Sequence, residues 1–123
     1  MVLLACMILL AGCAALVAGT AAGVGVYTYV NGELKRSYPE SFEKIYPICI
    51  ETLESLKISI DEKVSDGISA TISAKRADQT PVWVKVFMIT PKITEVSVRS
   101  GVVGVWDKKV SELIHASIAQ RLP

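Results

Sequence analysis

His115 is the single histidine of this 123-residue chain, and Cys6, Cys13 and Cys49 are its three cysteines. These side chains can act as bases or nucleophiles near neutral pH, so their settings decide which reactions the sequence allows. A catalytic pair of Cys49 and His115 would need the thiol in a polar, partly exposed pocket. Cys49 instead falls in a stripe with Phe42, Ile45, Tyr46, Leu53 and Leu56, the spacing of a helix face that enters a core. His115 falls beside a second helical stripe, which gives it a solvated or half-buried structural place. Metal ligation has no better basis, because one histidine with Asp61, Glu62 and Asp66 reproduces no zinc or calcium spacing. Gly101 and Gly104 lack the Gly-Lys-Ser/Thr continuation of a phosphate loop and read as hinge and turn residues. The expectation is a protein with no catalytic residue, no metal and no cofactor, not an enzyme.

Cys13 has a different setting. Leu10, Ala11 and Gly12 precede it, after an apolar run that begins at Val2. This order resembles the lipobox of bacterial lipoproteins, in which an aliphatic residue and two small ones lead to a lipidated cysteine. A diacylglyceryl transferase needs an accessible thiol, and the peptidase that follows cuts between small side chains. The resemblance implies a signal peptide over residues 1–12, lipidation of Cys13, and an Ala/Gly-rich tether over 13–26. Each buried methylene of the acyl chains adds about 0.8 kcal/mol to membrane attachment. Signal peptides normally open with basic residues, and an upstream start is expected to supply them here. Leu3-Leu4-Ala5-Cys6 has the right residues but almost no apolar run before it. The alternative is an uncleaved single-span helix. No charged residue precedes Glu33, a stretch longer than the roughly 20 residues that cross a bilayer, and Gly19 and Gly23 form a helix-pairing spacing. Gly19, Gly23 and Gly25 lower helix propensity in water and favour the tether.

Behind this segment the charges are mixed, with 13 Lys and Arg against 12 Asp and Glu and a net charge of +1. There is no basic cluster to displace counterions, which argues against nucleic acid as a partner. Residues 27–123 form the expected folded domain. Tyr27 and Tyr29 suggest extended chain, Asn31-Gly32 a turn, and Glu33 to Ser37 a first strand. A helix starts near Glu40-Ser41, and Pro47 inside its stripe means either a kink or a later start. Ile58 to Val64 reads as a strand ending at Asp66-Gly67. Ile68 to Lys75, Val82 to Ile89 and Thr94 to Gly101 follow as strands of an antiparallel meander. Trp106, Val110, Leu113, Ile114, Ile118 and Leu122 give a closing helix its apolar face. The expected class is α+β, a two-layer sandwich with an antiparallel sheet of about five strands and two helices packed on one face.

The segments "YVNGELKRSYPES", "LESLKISIDEK", "ISAKRADQT" and "TEVSVRSGVVG", behind a lipobox and tether, resemble the small bacterial lipoproteins of the domain of unknown function 3568 family. The more specific matches are Leu53 and Leu56, the Ala74 to Thr80 hairpin, and Thr94-Glu95-Val96 with Val98, Arg99 and Gly101. The chain departs from that resemblance at Pro47 and at Lys57, where such members tend to carry a helix-ending glycine. The resemblance implies a Gram-negative envelope lipoprotein with no established activity, and it carries over no catalytic residue. Ala14 after the cysteine implies the outer membrane, facing the periplasm.

One strand has an unusual composition. If Val82, Val84, Val86 and Met88 fill the core, then Trp83, Lys85, Phe87 and Ile89 face the other way. Trp83, Phe87 and Ile89 thereby form a candidate interaction patch, since large exposed apolar patches mark interfaces. Either Tyr27, Tyr29 and the tether cover it, a second copy does, or another envelope protein does. The functional expectation is a lipid-anchored, non-enzymatic binding or structural module whose partners are the membrane and an envelope protein. The alternative is a small-ligand or lipid carrier with a pocket between sheet and helices.

Overall fold

In the computed structural model, which describes residues 27–102 and 104–122, Asn31 and Gly32 take φ of 51° and 82°. Two successive positive φ values make the tight turn whose twist suits a two-residue hairpin. It joins β1 (Thr28–Val30) to β2 (Glu33–Tyr38), with Val30 opposite Glu33. Residues 1–12 and 13–26, including Cys13 and its lipobox, lie outside the described residues.

Helix α1 (Phe42–Ser55) starts behind an extended Ser41, whose carbonyl accepts from Lys44 and Ile45. It runs through Pro47, which is exposed, so the later start is not adopted. Only the Glu43 carbonyl loses a helical donor there. At the other end Lys57 takes φ of 61°. Its N–H donates to the Glu54 carbonyl, while that of Ile58 donates to Leu53 at 2.9 Å. This is a Schellman stop with a lysine in the place that favours glycine, and the buried pair Leu53 and Ile58 closes it.

The remaining chain forms β3 (Ser59–Ser65), β4 (Ser69–Lys75), β5 (Pro81–Thr90), β6 (Ile93–Val102), β7 (Val105–Trp106) and α2 (Lys108–Gln120). The sheet order is β1-β2-β6-β5-β4-β3, with β7 paired to β6 and every pairing antiparallel. The class is the expected α+β, and the strand count rises from about five to seven because β1 and β7 are added. Alternation decides the layers. Leu34, Tyr38, Ala70, Ile72, Ala74, Val82, Val84, Val86, Val96 and Val98 all point to one face and are buried. Onto that face α1 brings Phe42, Ile45, Cys49 and Leu53, and α2 brings Ile114 and Ile118. Helix α1 lies over β3 to β6, and α2 lies over β2 and β6.

The closing helix differs from expectation in two respects. Trp106 lies in β7 opposite Gly101, and the helix begins behind Asp107, whose carboxylate accepts from the Val110 N–H. Gly101 and Gly104 are therefore hairpin residues, with φ of 112° and 87°. Leu113 is exposed, whereas Ser111, Ile114, His115 and Ile118 face inward. The buried sheet face below α2 carries Tyr38, which selects the histidine side of the helix over the leucine side. No helix among the described residues is long and apolar enough to cross a membrane.

Candidate functional site on the open sheet face

Three rows of side chains cross the sheet face that carries no helix among the described residues. Register places Ser73, Trp83, Arg99 and Glu33 side by side, then Thr71, Lys85, Ser97 and Lys35, then Ser69, Phe87, Glu95 and Ser37. The rows belong together because residues directly opposite in antiparallel strands share a face. Phe87 is 49% exposed, and Trp83 is half-buried. Ile89 is also exposed, but the register shifts between Met88 and Thr90 and takes it out of the ladder. Trp83 and Phe87 thus lie on one face along β5, and Ile89 sits in the bulge at its end.

Trp83 is half-buried because Arg99 covers it. The guanidinium carbon lies 5.0 Å from the Trp83 ring centroid and 5.1 Å from that of Trp106. Gly32 packs against the Trp106 ring so closely that a Cβ there would overlap it. The positive φ at Gly32 and the missing side chain are both required, and they tie the β1–β2 turn to β7. Beside this stack Lys85 pairs with Glu33 at 3.5 Å. Lys35, Lys85, Phe87, Glu95 and Ser97 contribute to a hollow of about 250 Å³.

Tyr27 and Tyr29 do not cover this face. Tyr29 is opposite Leu34, on the helix side, and the Lys108 ammonium lies 5.1 Å from its ring. Tyr27 stands edge-on to His115 at 5.3 Å and accepts a hydrogen bond from Arg36 at 3.0 Å.

His115 is fully buried rather than solvated or half-buried. Its Nε2 donates to the Leu34 carbonyl at 2.7 Å, and its Nδ1 accepts from the Tyr38 hydroxyl at 2.7 Å. Burial pushes its pKa down to about 4, the Leu34 bond opposing and the Arg36 charge adding to the fall. Cys49 is buried on α1, and burial pushes its thiol up to about 12. Both ring nitrogens of His115 are occupied, so the two residues form no thiol–imidazole pair. No group of three or more metal-ligating side chains occurs among the described residues. The space between sheet and helices is filled by Ile45, Leu53, Val84, Val98, Ile114 and Ile118. A hollow of about 360 Å³ opens at its rim, where Leu56, Ile58, Val110 and Leu113 meet the turn at Ala77 and Asp78.

Trp106 is the member of the face that the helical spacing assigns elsewhere, to the closing helix. Arg99 was legible as outward-facing, but its two indole partners come from β5 and β7. The signal for Trp106 was Asp107, a helix-capping residue that puts the preceding tryptophan outside the helix. The family described as Protein of unknown function (DUF3568) matches residues 1–121 of the chain. No curated protein matches it.

Proposed function

The chain belongs to that family, whose description names no activity, and from this premise we propose that it is a lipid-anchored binding module of the bacterial envelope. It engages another envelope component through the open sheet face. The observation that supports this reading is Phe87, 49% exposed on the same face as the Trp83–Arg99–Trp106 stack, a face that no helix among the described residues covers. Aromatic side chains and arginine concentrate at interfaces, and an uncovered strand face normally carries polar residues instead.

The anchor in this reading is the lipid attached to the Cys13 thiol before the chain is cleaved behind Gly12, with residues 13–26 as the spacer. Ala14 directs the lipidated protein to the outer membrane, and the domain faces the periplasm. Intact-mass measurement of the membrane-extracted protein is expected to give a chain starting at Cys13 plus its lipid, and Cys13→Ala is expected to release the domain from membranes. An unchanged mass and fractionation for Cys13→Ala would leave the uncleaved single-span anchor as the answer.

Partner binding is tested by photo-crosslinking in intact cells. Phe87→Ser, and Trp83→Ser with Phe87→Ser, are expected to lose the crosslink while keeping the wild-type circular dichroism. An undiminished crosslink in folded variants rejects the open face as the binding surface. The rim hollow beside Leu56 and Leu113 supports a second reading as a small apolar-ligand carrier. In that case Leu113→Glu, and not Phe87→Ser, is expected to abolish binding of a fluorescent fatty acid.

A further inference from the structure

Arg99 lies where β5, β6 and β2 meet, opposite Trp83 on one side and Glu33 on the other. Its guanidinium is held against two indoles, and an indole has an N–H donor but no hydrogen-bond acceptor. The two rings contact the cation, and no described side chain accepts a hydrogen bond from its Nε–H. Arg99 makes no ion pair with any described residue, and its Nε is buried with no hydrogen-bond partner. The natural local acceptor is Glu33, its ladder neighbour, but that carboxylate turns to Lys85 at 3.5 Å. The result is a cation restrained by two indoles with no carboxylate partner among the described residues.

We propose that Arg99 is the receptor for a carboxylate side chain of the partner that docks on this face, an inference that rests on the open-face reading above. A guanidinium offers paired, parallel N–H groups that match the two oxygens of a carboxylate. Contact with Trp83 and Trp106 restrains the Arg99 side chain before binding, so less side-chain freedom is lost when the anion arrives. Glu33 and Glu95 share the face with Lys35 and Lys85, so Arg99 leaves it with a single net positive charge, which one carboxylate matches. Phe87 supplies the apolar contact. It is four residues from Trp83 along β5, about 13 Å at roughly 3.3 Å per residue. A partner segment in extended conformation that carries an acidic residue and an apolar one four positions apart spans both.

Trp83 and Trp106 are the two tryptophans of the chain, so intrinsic fluorescence reads this site directly. The full chain, extracted in neutral detergent, is titrated with the blocked pentapeptide acetyl-Asp-Ala-Ala-Ala-Leu-amide, with its Asn counterpart, and with inorganic phosphate. The Asp peptide is expected to give a saturable change, with the Asn peptide about tenfold weaker and phosphate weaker than the Asp peptide. Arg99→Lys keeps the charge but loses the paired donors, and it is expected to remove the preference for Asp over Asn. Phe87→Ser is expected to weaken both peptides alike. Equal binding of the Asp and Asn peptides, tighter binding of phosphate, or an Asp preference that survives in Arg99→Lys overturns the carboxylate assignment. If the Phe87 dependence persists in that event, the open-face reading stands without it. If Phe87→Ser changes neither peptide binding nor the cellular crosslink, both fall.

Discussion

The Tyr38 hydroxyl and His115 Nδ1 stand 2.7 Å apart and join β2 to α2 across 77 positions of sequence. Because a carbonyl can only accept, the Leu34 oxygen at 2.7 Å fixes the proton on Nε2 and makes Tyr38 the donor to Nδ1. The histidine is thereby held neutral in the core.

That neutrality predicts acid lability. In the unfolded chain the imidazole takes a proton near 6.5, whereas the folded chain resists it until about 4. The contribution is full above roughly 6.5 and is lost as pH falls toward 4, to the extent of roughly 3 kcal/mol. Urea midpoints measured between about pH 7 and about pH 4.5 are expected to fall steeply for the wild type and less for His115→Gln. Tyr38→Phe, which leaves Nδ1 without a donor, is expected to cost about 1–3 kcal/mol at neutral pH.

Lys57 predicts a gain. Its φ of 61° is left-handed and its side chain is exposed, so no packing depends on it. Lys57→Gly relieves the Cβ crowding and loses some of that to the larger freedom of the unfolded chain. A net stabilisation of about 0.5–1 kcal/mol is expected, seen as a higher urea midpoint with an unchanged slope.

Gly32 predicts a loss. Alanine there is strained at φ of 82° and meets the Trp106 ring as well. Gly32→Ala is expected to cost about 2 kcal/mol or more and to shift tryptophan emission, because the ring must move off Arg99. Unchanged emission would mean that Trp106 is not pressed against this turn.

Cys49 predicts inertness. Its thiol is buried on α1 and held protonated, so iodoacetamide at about pH 8 is expected to label it on the order of a hundredfold more slowly in the native protein than in urea. Peptide mapping separates Cys49 from the other cysteines. Rapid native labelling would place it outside the core.

The strands and their inward faces were legible because each depends on a local period. Val82, Val84 and Val86 alternate with Trp83, Lys85 and Phe87, and that alone assigns them to opposite faces. The Asn31-Gly32 and Asp66-Gly67 turns were legible for a similar reason, since few residues accept those backbone angles. Trp106 was not, because it continues the helical spacing of Val110, Ile114 and Ile118. Only the β6–β7 hairpin and the Asp107 cap remove it from the helix. Leu113 and His115 show the other limit, because hydrophobicity favours the leucine while the buried acceptor and donor of β2 favour the histidine.

The sequence by itself determined the class of the fold, the turns and the side of the sheet on which the residues of the regular strands lie, because backbone preference and apolar period act over a few neighbours. The bulges in β3 and β5 move Val64 and Ile89 out of that pattern. The tertiary structure decided which side chains meet. Arg99 with Trp83 and Trp106, His115 with Tyr38 and Leu34, and Gly32 with Trp106 all join strands and helices that the sheet order makes adjacent. Those contacts depend on register across strands far apart in the chain, which no local pattern encodes.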